Sequence, residues 1–111
     1  MNYISEKIYI EENDKEYIIL IGKNAQGNND ILKFSHQDDI WFHFKNVSGP
    51  HIILCNKGDV IPKKYLHQVA NMLYKYKNHI SYNSAIIYTP VKYVKKTPTL
   101  GKVITKKYNT I

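Results

Sequence analysis

The sequence predicts an α+β fold: a mostly antiparallel sheet with one main helix packed on it. Three observations predict it. Short β-rich stretches are joined by short polar turns. One segment, residues 62–79, repeats its apolar residues at helical spacing. The resulting order, β-β-(α)-β-β-α-β-β, groups strands into neighbouring pairs around that helix. The chain has 111 residues, 43% hydrophobic and 23% charged, which suits one globular domain with a single modest core.

Residues 3–10 (YISEKIYI) and 16–21 (EYIILI) flank the polar stretch Glu11 to Lys15 and read as a hairpin. Gly22 to Asp30 (GKNAQGNND) is a loop by composition. Asp30 to Ser35 reads as a short helix with Ile31, Leu32 and Phe34 as its apolar residues. Asp39 to Lys45 (DIWFHFK) is the clearest strand, and His51 to Asn56 (HIILCN) follows across a Ser-Gly-Pro turn. Paired across a five-residue loop, these strands set Lys45 against His51, His43 against Ile53 and Trp41 against Cys55. Alternation then puts Trp41, His43, Lys45, His51, Ile53 and Cys55 on one face. Ile40, Phe42, Phe44, Ile52 and Leu54 take the other, which is wholly apolar and therefore core. The mixed face is the better working surface.

Pro62 to His79 is the main helix, with Pro62 in its first turn and Leu66, Val69, Ala70, Leu73 and Tyr76 as its buried stripe. Ser84 to Lys95 reads as a strand whose central Pro90 implies an edge or a bulge. A turn over Thr97 to Gly101 and a last strand over Lys102 to Tyr108 complete the chain.

Charge is distributed very unevenly. Residues 1–59 hold all nine acids against six Lys, while residues 60–111 hold ten Lys and no acid. Such a basic half points first to the phosphates of RNA or DNA, then to an anionic membrane, then to an acidic protein. There is no Arg, so bidentate reading of guanine or phosphate is unavailable and affinity is favoured over sequence reading. Aromatic residues interleave with the lysines, as at Tyr93, Lys95 and Lys96 and again at Lys106, Lys107 and Tyr108. Rings that stack on unpaired bases beside ammonium groups are the two parts of a single-strand or RNA-loop binder.

Other chemistries find less support. Cys55 is the only cysteine, so no intramolecular disulfide forms and a reducing compartment, the cytoplasm, is expected. No apolar run approaches a membrane span, and residues 1–15 lack a hydrophobic signal core. His43, His51 and Cys55 stand in H-x7-H-x3-C spacing, but His51 and Cys55 lie four apart on a strand, too far to share a zinc ion easily. Neither a metal nor another cofactor is expected. Gly101-Lys102 fails the phosphate-loop frame, because Lys95 stands at the first glycine position and Val103 follows the lysine. Gly22-Lys23 opens a loop whose amides could form an anion nest. Ser48 has no acid placed to orient either imidazole, so the chain is not expected to be an enzyme.

The segments GKNAQGNND, DIWFHFKNVSGPHIIL and YTPVKYVKK, followed by a proline and GKV, resemble the NFACT-R domain. This is the RNA-binding module of ribosome quality-control tailing factors and of shorter related proteins. The resemblance runs from about Ile18 to Tyr108 and makes residues 1–111 a single NFACT-R-like domain. It implies an intracellular nucleic-acid-binding role linked to ribosomes or tRNA, and no active site. The matching positions are Gly22, Lys23, Asn24, Gln26 and Asn28, then Asp39, Trp41, His43, Gly49 and His51, then Lys92, Tyr93, Lys95 and Lys96. The N-terminal tRNA-engaging domain, helix-hairpin-helix segment and coiled coil of the large members have no counterpart in this stretch, so tailing activity is not implied.

Residues and resemblance together predict a stand-alone module that binds RNA (tRNA or rRNA), or the ribosome, with DNA as a second candidate and no membrane. The expected contacts are Lys23 and Asn24, then Trp41, His43, Lys45 and His51, then Lys92, Tyr93, Lys95, Lys96 and Lys102. The alternative is a non-enzymatic adaptor that docks a ribosomal subunit or an acidic protein, with the acidic N-terminal hairpin as a second contact.

Overall fold

The computed structural model describes residues 2–77 and 84–111. Six antiparallel strands form the main sheet, in the order β1 (Tyr3–Ile10), β2 (Lys15–Gly22), β4 (Ile52–Leu54), β3 (Ile40–Phe44), β5 (Ile86–Pro90) and β8 (Asn109–Thr110). A separate two-stranded ribbon, β6 (Val94–Lys96) with β7 (Val103–Thr105), lies against it. The α+β prediction therefore holds.

Strands β1 (Tyr3–Ile10) and β2 (Lys15–Gly22) form the expected hairpin. Glu11–Asn13 make a 3-10 turn between them, and Asp14 takes the left-handed conformation that reverses the chain. Helix α1 runs over Ala25–Phe34, beginning five residues earlier than the composition of the Gly22–Asp30 loop suggests. Its start is fixed by a cap. The Asn24 side chain accepts a hydrogen bond from the Gly27 amide at 2.8 Å.

Strands β3 (Ile40–Phe44) and β4 (Ile52–Leu54) pair with Trp41 opposite Ile53 and Phe42 opposite Ile52. The expected register is therefore wrong by two residues, while the face assignment is right, because a two-residue shift keeps every side chain on its side. The cause lies in residues 49–51. Asn28 of α1 accepts from the His51 amide at 2.9 Å and donates to the Gly49 carbonyl. The His51 carbonyl accepts from Gly22. Those backbone groups are thus taken up away from β3, and the ladder begins only at Ile52. Asn28 comes this close because Gly22 has no side chain; a Cβ there would overlap the Asn28 amide.

Helix α2 (Lys63–Tyr76) is the main helix, and its expected last residues, 78 and 79, lie outside the described residues. Val69, Ala70 and Leu73 are fully buried against Phe42, Phe44, Ile52 and Leu54 on the wholly apolar sheet face. Tyr65 joins the stripe, whereas Tyr76 is only half-buried. Two lysines, Lys63 and Lys64, sit in the first turn, where the helix dipole disfavours cations. Glu12 lies 3.0 Å from Lys64 and offsets that charge.

Pro90 ends β5 (Ile86–Pro90), as its missing amide requires. The chain turns through Val91–Tyr93 and leaves the main sheet as β6 (Val94–Lys96), so the single strand expected over residues 84–95 is two. The last strand, expected over Lys102 to Tyr108, is shorter than that, and a further short strand lies beyond it. The first, β7 (Val103–Thr105), pairs with β6, and β8 (Asn109–Thr110) returns to the edge of the main sheet beside β5. Helix α1 and the ribbon share the second sheet face, where Ile31 and Leu32 meet Trp41, Ile53, Ile87 and Val91.

The ribbon's tip is held by Gly101. Its φ is +78°, and a Cβ would lie 2.7 Å from the Ala25 Cα. Gly101→Ala should cost about 1–3 kcal/mol, combining a left-handed backbone penalty with a steric push on α1. Urea unfolding measures this, and an unchanged midpoint would show that the tip does not bear on the helix.

Candidate nucleic-acid interface

Between α1 and the ribbon, the second sheet face opens into a cleft of about 660 Å3. Each element supplies one part. The sheet provides Trp41, His43 and His51, the turn before α1 provides Lys23 and Asn24, and the β3–β4 connection provides Lys45 to Pro50. Leu100 to Val103 of the ribbon form the opposite wall, and Lys77 reaches in from beyond α2.

The floor is aromatic and buried. Trp41 is 1% exposed and His51 is 3% exposed. His43 is half-buried above them. With Phe42 opposite Ile52, His43 comes opposite His51, and their rings lie 4.6 Å apart at 73°. The Trp41 ring meets His51 edge-on at 5.2 Å. Burial of Trp41 corrects the expectation of an open Trp/His face: the indole cannot present its plane to solvent, so it acts as floor.

Burial also fixes the charge. Desolvation pushes the His43 pKa down to about 4, with backbone hydrogen bonding at Gly49 opposing the shift and the Lys77 cation adding to it. Desolvation, with His43 alongside, pushes His51 down to about 3. Both imidazoles are neutral at pH 7, so they offer hydrogen bonds rather than charge.

Positive charge comes from the rim. Lys23, Lys45, Lys77 and Lys102 line the cleft, and no carboxylate does. Among the described residues, none of the four is ion-paired. Lys45 also lies 5.9 Å from the Tyr108 ring, which extends the rim.

Seven expected contacts therefore come together: Lys23, Asn24, Trp41, His43, Lys45, His51 and Lys102. Lys92, Tyr93, Lys95 and Lys96 do not line the cleft. Lys92 and Lys107 lie 5.6 and 5.5 Å from the Tyr93 ring, and Lys95 and Lys96 follow on β6. Lys92 is also 3.6 Å from Asp38, so its charge is partly offset. The basic half is not wholly uncompensated: Lys64 meets Glu12, and Lys75 lies 3.9 Å from Glu6. Tyrosines hold the same acids, Tyr65 on Glu12 at 2.7 Å and Tyr76 on Glu6. Glu6 and Glu12 are thus engaged with α2.

Two other matched positions have structural roles. Asp39 is 2% exposed and accepts from the His36 and Lys57 amides, at 2.7 and 2.9 Å. Asn28 fixes the backbone of His51, as described above. Lys77 was missed by sequence reasoning. It is distant in sequence from every other rim residue, and no local pattern marks it.

The model of the NFACT protein RNA-binding domain matches residues 7–107. The chain belongs to that family. At the family level this NFACT RNA-binding domain is a nucleic-acid-binding module, and the family is one of binding domains rather than catalytic ones. Coiled-coil domain-containing protein 25 of Bos taurus is 34% identical over 93 residues, covering 77% of this chain and 44% of that protein. The Rqc2 homolog RqcH of Streptococcus suis (strain 05ZYH33) is 31% identical over 62 residues, 49% of this chain and 11% of that protein. The chain thus spans less than half the length of these relatives. The solved C-terminal part of the fibronectin/fibrinogen-binding protein from Streptococcus suis superposes with a TM-score of 0.78 over 96% of this chain and 44% of that one. At 23% identity, that likeness is one of fold.

Proposed function

We propose that this domain binds RNA, of tRNA or rRNA type and in a ribosomal context, through the cleft between α1 and the β6–β7 ribbon. The observation that carries this reading is the rim: four lysines, no carboxylate and a neutral aromatic floor. A polyanion gains from each ammonium it meets there and meets no like charge. Family membership and the RqcH similarity support RNA, and a ribosomal setting, over other polyanions.

Lysine without arginine predicts affinity driven by counterion release and little base-specific reading in a duplex groove. Four rim contacts on single-stranded RNA should give a slope of log K against log salt of about −3. Titration of labelled tRNA, generic single-stranded RNA and duplex DNA at several salt concentrations tests this. A salt-insensitive affinity, or none for either RNA, would refute the proposal.

A further inference from the structure

Two polar atoms on the cleft floor have no hydrogen-bond partner among the described residues: the indole Nε1 of Trp41 and Nδ1 of His51. Both side chains are more than nine-tenths buried, and both line the cleft. Buried polar groups in native proteins are nearly always satisfied, so a pair left open on the floor of a binding cleft points to an occupant. A ligand that carries matching groups would satisfy them.

The rest of the cleft narrows the occupant's chemistry. Its walls are partly apolar, with Val47, Leu100 and Val103 among the lining residues. Its rim is cationic. A ligand that fits is flat, apolar on its faces, polar along one edge and joined to an anion. A nucleobase with its phosphate has all four properties. The volume, about 660 Å3, lies in the range of small-ligand sites. Bases inside an A-form helix present their pairing edges to each other, so the base that enters must be unpaired.

Resting on the RNA-binding reading above, we infer that the cleft admits one unpaired nucleotide, its base edge met by Trp41 Nε1 and His51 Nδ1 and its phosphate by the rim lysines. The indole N–H can only donate. With its proton on Nε2, the His51 imidazole accepts at Nδ1. The pairing edge of every common base carries an acceptor beside a donor. The floor therefore senses that an edge is free more than which base owns it. The His51 backbone is clamped on both sides, by Asn28 and by Gly22, so the ring is preorganised for this role.

Trp41 is the only tryptophan, so fluorescence excited to the red of tyrosine absorption reports on this floor alone. The test compares a blunt RNA duplex with the same duplex carrying one unpaired nucleotide, bulged or at a 3′ end. The unpaired form should bind on the order of tenfold tighter, as two added hydrogen bonds allow, and it alone should change Trp41 emission. His51→Gln and, separately, His43→Ala at the half-buried ring should erase the preference and the emission change. Equal affinity for both RNAs with unchanged emission would overturn the inference while leaving RNA binding in place. Failure of both RNAs to bind would overturn both.

Discussion

Lowering the pH from 7 to 5 should destabilise this domain by about 2 kcal/mol through His51 alone. The sign follows from burial. His51 has a folded pKa of about 3, against about 6.5 in the unfolded chain. Between those values the unfolded state binds the extra proton, so stability rises with pH. The contribution is fully present above pH 6.5 and is lost progressively as pH falls toward 3. His43, lowered to about 4, acts in the same direction over a similar window. Most carboxylates remain ionised at pH 5, so the imidazoles dominate this interval. Urea unfolding at the two pH values measures the loss. A second readout needs no variant: the ring resonances of His43 and His51 should not titrate between pH 8 and 5. Equal stability at both pH values, with either ring titrating near 6.5, would place that imidazole in solvent and remove the neutral floor.

The two halves of the charge pattern have different fates in the fold. On the α2 side, Glu6 and Glu12 from β1 and the following turn meet Lys75, Lys64 and two tyrosine hydroxyls. Those acids are exposed or half-buried, and such pairs add little stability in water. Their effect is on the electrostatic map. Glu6 and Glu12 are held on the side of the sheet that α2 covers, and the cleft on the opposite side is lined by no carboxylate.

Much of this was legible in the sequence because it rests on short-range rules. Strand alternation correctly divided Trp41, His43 and His51 from Phe42 and Phe44, since a period of two survives any even shift of register. The register itself was not legible. It depends on Asn28, which lies 23 residues before His51 and satisfies the backbone that a simple hairpin would have paired. Helix α1 was read too short because Gly27, Asn28 and Asn29 are poor helix formers. Tertiary contacts of Asn28 and the Asn24 cap outweigh that preference. The lysines at 92, 95 and 96 were read with the site because charge and aromatic spacing in sequence say nothing of direction. The turn at Val91–Tyr93 carries them out of the main sheet, and the inner wall of the ribbon falls to Lys102 and Val103 instead.

Replacing Lys23, Lys45 and Lys102 together by Gln should weaken RNA binding on the order of 100-fold at about 0.1 M salt, with the fold intact. Each phosphate contact on a single strand contributes about 0.7 to the salt slope. At about 0.1 M salt that equals a factor of about five per contact, and three contacts multiply to about 100. The slope should fall by about 2 at the same time, leaving the share of Lys77. Stability should change little, because all three side chains are exposed and none is ion-paired among the described residues. The matched control is Lys92, Lys95 and Lys96 to Gln, which removes the same charge from the chain. If net charge alone drives binding, the two triple variants will lose affinity and slope equally, and the cleft has no special place in recognition. If the rim is the contact surface, the control loses markedly less, since its lysines lie off the cleft and Lys92 already faces Asp38.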